Sequence, residues 1–210
     1  KDIDLLLGDE GFQSFFQWMI AAYGFKADQR EPYTFNAAPF LADPRVGQQG
    51  YVTSEPYAVE TKGGFTPNIF LIADYGFDTY ATTVEVMQKT IDEMPEAVAC
   101  FVDGSALGWY TYLYGDSSAA DAVILAANPD MTEEQLAFSR EKLREYGIVD
   151  SGDALELGIG AMTDARFKSF YGKMVDAGVL PAGIDISRAY TLDFVDKGVG
   201  LDLKRDLTGK

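Results

Sequence analysis

The residues of this chain best suited to chemistry are amides, acids and aromatics gathered at glycine-marked junctions. Gln48 and Gln49 stand just before Gly50, and Tyr51, Ser54, Glu55 and Pro56 follow. A glutamine amide both donates and accepts hydrogen bonds, so the pair can orient a polar ligand or simply face solvent. The Glu55 carboxylate can accept from an amino group or ring N–H of a heterocycle; in a first helical turn it can equally serve the helix dipole. Gly8-Asp9-Glu10-Gly11-Phe12 offers two glycines where backbone N–H groups can approach a ligand at a helix N-terminus, which favours anions. Asp9 and Glu10 would themselves occupy that positive end, so a capped turn is the alternative. No Gly-Lys-Ser/Thr follows, and the stretch is not a phosphate loop. Asp74 and Tyr75 open a run to Tyr80 in which aromatics flanked by acids resemble the wall of a pocket for a flat ligand.

Other chemistries are excluded. There are 0 histidines, which removes the commonest general base and metal ligand together. The single cysteine, Cys100, sits in an apolar helical pattern and reads as a small core hydrophobe. One cysteine allows no disulfide within the chain and no structural zinc site. No Gly-x-Ser-x-Gly elbow exists, and the acids are too many to select a catalytic pair. A non-enzymatic role is therefore expected, with no cofactor and no metal. The net charge of −16 argues against nucleic acid and anionic membrane surfaces as partners. It does not demand a cationic ligand, because most of these acids can lie on solvated surface. No run approaches the roughly 18 apolar residues of a membrane span, so no membrane insertion is expected.

The elements that must position these residues fall into two regimes across the 210 residues. Residues 1–84 alternate strands and helices, which implies an α/β unit with a mostly parallel sheet. Strands are predicted over 3–7, 33–36, 51–53, 69–73 and 80–84. A helix runs from Phe12 to Tyr23 with Gly24 just past its end. A second begins at Ser54 as N-cap with Pro56 in its first turn. Residues 85–210 read as helical. Pro95 opens a helix to Tyr114, stopped by Gly115, and Ser117 or Ser118 starts another to Ala127. Thr132 and Gln135 form a capping box for a helix ending at Tyr146. A further helix spans 163–177, and the charged tail after Val199 is expected to be loose. The chain opens Lys1-Asp2-Ile3 as a strand rather than a signal peptide, as in a processed, trimmed or fragmentary chain. Residues 8–12, 48–51, 54–55 and 74–75 all lie at junctions of these elements. Such ends converge on one side of a parallel sheet and are predicted to build one cleft wall.

Several stretches resemble the solute-binding proteins of bacterial ABC importers, in the subgroup that handles nitrate, sulfonates, thiamine pyrimidine precursors and riboflavin-like compounds. They are Gln48-Gln49-Gly50-Tyr51-Val52-Thr53-Ser54-Glu55-Pro56-Tyr57 and the run Asp74-Tyr75-Gly76-Phe77-Asp78-Thr79-Tyr80-Ala81-Thr82-Thr83. The segments Tyr146-Gly147-Ile148-Val149-Asp150-Ser151-Gly152-Asp153-Ala154 and Gly158-Ile159-Gly160-Ala161-Met162-Thr163-Asp164 agree, and the likeness covers about residues 1–196. It implies a periplasmic-binding-protein-like fold of two α/β lobes that clamp a small-molecule solute by hinge closure. Residues 1–84 then correspond to the second lobe, and 85–210 to the helical return into the first lobe plus a C-terminal tail. The N-terminal part of the first lobe is missing from this layout. In pyrimidine-binding relatives a glutamate after the corresponding strand contacts the heterocycle, and Glu55 matches it. The ligand-binding set becomes Asp9, Glu10, Gly11, Phe12, Gln48, Gln49, Tyr51, Ser54, Glu55, Asp74 and Tyr75. Yeast-type relatives that make the pyrimidine use a cysteine-rich motif and a histidine, and this chain has neither.

The resemblance also implies ABC permease subunits as partners and a periplasmic or cell-surface location. Without a full first lobe, the helices from Pro95 to Tyr146 are expected to expose Phe101, Leu107, Trp109, Tyr112 and Phe138 and to self-associate. A ligand-sensing regulatory domain and a carboxylate-dependent enzyme on the same scaffold are the competing functions.

Overall fold

A computed structural model describes residues 3–209; Lys1, Asp2 and Lys210, which belong to the opening stretch and the tail, lie outside them. The chain forms two compact units. The first is Lys1–Thr79 with Ala165–Ile186, and the second is Tyr80–Asp164 with Ser187–Lys210. The break therefore falls at Thr79 rather than near residue 84, and part of the C-terminal half belongs to the first unit.

The first unit is α/β. Strand β1 (Asp4–Leu7) leads into helices α1 (Asp9–Gln13) and α2 (Phe15–Tyr23). The single helix expected here breaks at Ser14, whose ψ of −97° is not helical. Gly24 ends α2 in the left-handed conformation at φ 68°, where only glycine is free of a Cβ clash. Strand β2 (Arg30–Pro32), helix α3 (Ala38–Ala42), strand β3 (Val46–Gln48) and helix α4 (Glu55–Gly63) follow. The strands make a parallel sheet in the order β2-β1-β3, with Leu6 paired to Glu31 on one side and Gln48 on the other. The central position of β1 explains its unbroken Leu5-Leu6-Leu7 run, since a central parallel strand is covered on both faces. Leu6, Leu7, Phe16, Trp18 and Val59 are buried in this unit.

Three predicted strands are not strands. Residues 51–53 form a turn in which Ser54 and Glu55 both donate their N–H to the Tyr51 carbonyl. Alternation of Tyr51, Val52 and Thr53 mimics a strand, but the ladder is used up one step earlier by β3. Over 69–73 the chain turns into a 3-10 segment, Ile72–Tyr75, closed by Asp74 N–H to Leu71 O and Phe77 N–H to Ile72 O. Residues 80–84 contain Thr82 at φ 53°, which breaks extended backbone. The strand expected over 33–36 is displaced to Arg30–Pro32. Only the Tyr33 N–H, donated to Leu7 O, extends the ladder.

The second unit is helical: α5 (Gln88–Glu93), α6 (Pro95–Tyr114), α7 (Ser118–Ala127), α8 (Glu133–Glu145) and α9 (Ala154–Leu157). Its axis is α6, which buries Val98, Ala106, Tyr110 and Leu113 along one face. Thr132 caps α8 by accepting the Gln135 N–H at 3.2 Å. Arg140 on α8 holds Asp121 on α7 with contacts of 2.6 and 2.7 Å, while its guanidinium lies over the Tyr112 ring. Along α6, Phe101, Leu107 and Trp109 are exposed. Cys100 is also exposed and does not lie in the core its apolar neighbours suggested.

Helix α10 (Asp164–Asp176) carries the chain into the first unit, where Phe170 meets the Phe77 ring edge-on at 5.0 Å. There Lys173 holds Asp78 at 2.6 Å, and Arg166 donates to the Asp78 carbonyl at 2.8 Å. The tail is not loose. Residues Leu201–Thr208 form α11, which packs on α6 in the second unit. A Cβ on Gly200, at φ 84°, would stand 2.4 Å from a Tyr110 ring carbon, so only glycine admits this approach.

Candidate functional site

The C-terminal edge of the parallel sheet holds the junctions at residues 8–12, 48–51 and 54–55. β1 ends at Leu7, and Gly8 starts the turn into α1. The Gly8 N–H, an orphan donor at a helix start, is taken by Gln49 Oε1 at 2.8 Å. Gln49 lies so close to α1 that a Cβ on Gly11 would be 2.5 Å from its Oε1. Gln49 therefore locks the turn. The backbone donor expected to approach a ligand is already satisfied.

Asp9 is likewise engaged, by an ion pair with Arg30, whose guanidinium lies 4.6 Å above the Phe12 ring. Phe12 packs 5.7 Å from Phe16 and belongs to the hydrophobic layer under α2. The Glu10 carbonyl accepts from the Ser14 hydroxyl. Residues 8–12 thus form a capped, cross-braced turn, the plainer of the two readings its sequence allowed.

On the other side of the edge, Glu55 opens α4. Its Oε2 accepts the Tyr51 N–H at 2.8 Å and its Oε1 accepts the Tyr33 hydroxyl at 3.2 Å. The carboxylate curls over Gly50, where any Cβ would come within 2.9 Å of the Glu55 side chain. Burial, then the Glu55 charge and hydrogen bond, push the Tyr33 hydroxyl up to about 12. A carboxylate has about four acceptor sites, so two bonds leave Glu55 capacity for more. The Tyr51 ring beside it is 77 % exposed, free to stack on a flat ligand. Ser54 precedes the helix without a side-chain cap bond.

The two glutamines separate. Gln48 pairs with Leu6, and side chains alternate along a strand, so Gln48 takes the Leu6 face while Gln49 takes the α1 face. Tyr33, one step past Pro32, whose partner is Leu7, shares the Leu6 face with Gln48. Gln48 Oε1 is buried and has no hydrogen-bond partner among the described residues.

Asp74 and Tyr75 are not part of this edge. The Tyr75 carbonyl accepts the Tyr23 hydroxyl at 2.5 Å, and the two rings meet edge-on. Tyr23 ends α2, whose nine residues put it about 13 Å along the helix axis from the α1 junction. The same loop also sets Phe77 against Phe15 at the start of α2, with ring centroids 6.3 Å apart. Tyr33 and Arg30 were missed from the site. Tyr33 carried a legible signal, an aromatic alcohol just past a strand parallel to the first. It was assigned to the body of a strand instead.

The second unit has an open groove of about 540 Å³ lined by Tyr114, Leu155, Leu201, Lys204, Arg205 and Thr208. Both its cations are held from within, Lys204 by Asp150 and Arg205 by Asp202. Among the described residues, no group of three acidic or cysteine side chains is placed to hold a metal, and no helix is long and apolar enough to cross a membrane. No family model, no curated protein and no solved structure matches this chain.

Proposed function

We propose that this chain is the solute-binding component of an ABC import system and captures a small nitrogen- or sulfur-containing molecule at the sheet edge around Glu55. The observation that carries the reading is the brace on Glu55. Tyr33 and the Tyr51 backbone hold the carboxylate in one orientation, with acceptor capacity to spare, beside an exposed aromatic ring. A prepositioned acceptor with an adjacent flat apolar face suits a pyrimidine or a riboflavin-like ring, and the edge of a parallel sheet is the usual place for such a site. The resemblance in residues 48–57 and 74–83 adds the importer role, permease subunits as partners and a periplasmic or cell-surface location. Phe101, Leu107 and Trp109 leave α6 open to self-association, which light scattering reads directly.

The test is a thermal-shift screen of pyrimidines, riboflavin, sulfonates and nitrate, followed by calorimetry of any ligand that raises Tm. Binding that Glu55→Ala weakens supports the reading. A complete screen with no ligand, or a ligand indifferent to Glu55, rejects it.

A further inference from the structure

We propose that the site selects a solute that donates N–H groups, neutral or cationic, and rejects oxyanions, with Gln48 as the specificity-determining residue; this rests on the solute-binding reading above. Three observations converge on it. Gln48 Oε1 is an acceptor removed from solvent and left without a donor among the described residues. Buried polar groups are ordinarily paired, so an orphan acceptor beside a proposed binding edge marks a place where a donor belongs. Gln48 as a residue is only partly buried, while its Oε1 is wholly so. The second observation is placement. Gln48 shares a sheet face with Tyr33, whose hydroxyl ends on Glu55, so the orphan amide and the braced carboxylate belong to one side of the same edge.

The third observation is charge. Asp9 and Glu10 open α1 just after β1, Glu31 lies within β2, and Glu55 opens α4 after β3. The cation that reaches this edge, Arg30, is spent on Asp9 and stacked on Phe12. A nitrate or a sulfonate would meet carboxylates and an amide oxygen, while the Arg30 guanidinium is already paired with Asp9. An amino group or a protonated ring nitrogen would meet two acceptors. The order of preference is therefore set by Gln48 and Glu55 together, with Glu55 supplying attraction and Gln48 supplying the demand for a hydrogen.

The decisive experiment compares the intact chain with Gln48→Met, which keeps the side-chain volume but removes both amide atoms. Cytosine, its N4,N4-dimethyl derivative, ethanesulfonate and nitrate serve as calorimetric probes, with Tm recorded for each protein alone. The expected result has three parts. Cytosine binds in preference to both anions. Gln48→Met lowers cytosine affinity about fivefold, the worth of one neutral hydrogen bond, and removes the preference over the dimethyl compound. The same substitution raises the Tm of the ligand-free protein, because it deletes an unpaired acceptor. Anion binding without cytosine binding overturns this inference and leaves solute capture standing. Cytosine binding that Gln48→Met does not touch also overturns it alone. Failure of all four probes with the intact chain overturns this inference, and the wider screen above then decides solute capture.

Discussion

Each unit builds a polar cluster on the same pair, a tyrosine donating to a carboxylate, and the two clusters end differently. In the helical unit Tyr114 donates to Asp150 at 2.5 Å, and Lys204 closes the cluster at 2.8 Å. Asp150 is 9 % exposed, and its charge is neutralised where it lies. At the sheet edge Tyr33 donates to Glu55, but a backbone N–H takes the place of the lysine. One carboxylate is complete in itself and can only hold structure. The other is oriented by two neutral donors at a partly open edge, the condition for receiving something from outside. The comparison teaches that a tyrosine–carboxylate pair is not a functional mark until its third partner is known.

The contrast breaks most visibly if Asp150 is removed. Asp150→Ala strands Lys204 and the Tyr114 hydroxyl, and urea unfolding is expected to show a loss of about 3 kcal/mol, the low end for a broken buried pair because Lys204 is partly exposed. Glu55→Ala sharpens the other side. It is expected to cost about 2 kcal/mol in solute affinity by calorimetry and about 1–2 kcal/mol in unfolding stability, because the Tyr33 hydroxyl and the Tyr51 N–H lose their acceptor. If both substitutions act mainly on stability, the distinction between the clusters collapses.

Smaller effects separate the tyrosines. Tyr114→Phe leaves a buried Asp150 one donor short and is expected to destabilise by about 1–2 kcal/mol; Tyr33→Phe, beside a carboxylate that water can still reach, costs about 0.5–1 kcal/mol. The last difference is in alkali. The fold holds the Tyr33 phenol in its neutral form, so its contribution is whole below the ordinary value of 10.0 and fades as the pH climbs through about 12. Ultraviolet titration of tyrosinate should lose one late-titrating group in Tyr33→Phe, and unfolding of that variant should depend less on pH above 10.0. Burial and Asp150 push Tyr114 up as well, so Tyr114→Phe is the control that must remove a different late group.

Helices were legible in the sequence wherever periodicity met a cap. Pro95 and Gly115 bound α6, Thr132 caps α8, and Gly24 ends α2 as their types require. Strands were legible only at β1, whose leucines carry its burial on their own. β3 is Val46-Gly47-Gln48, with no hydrophobic signature, because its small Gly47 is demanded by Leu5 across the ladder. Pairing between distant residues is what makes it a strand, and no local pattern records that. The tail was misread for a related reason. Leu201, Lys204 and Leu207 form the face of a short helix that needs Tyr110 and Gly115 beneath it.

The site followed the same rule. Glu55, Gln49 and Tyr51 lie close to one junction in the sequence, and local spacing is enough to single them out. Their roles are not local, since Gln49 turns inward to Gly8 and Tyr33 reaches Glu55 from 22 positions away. Asp74 and Tyr75 looked alike in composition but are tied to the far end of α2.

The brace on Glu55 grips residue 51 by its peptide nitrogen and leaves the ring alone. Every residue except proline supplies that N–H. Position 51 is thus a place where single-codon changes can redraw the exposed surface beside Glu55 while the scaffold stays intact. A lineage carrying this edge can vary that surface at little risk, and a library varied at 51 alone is the smallest one that explores it.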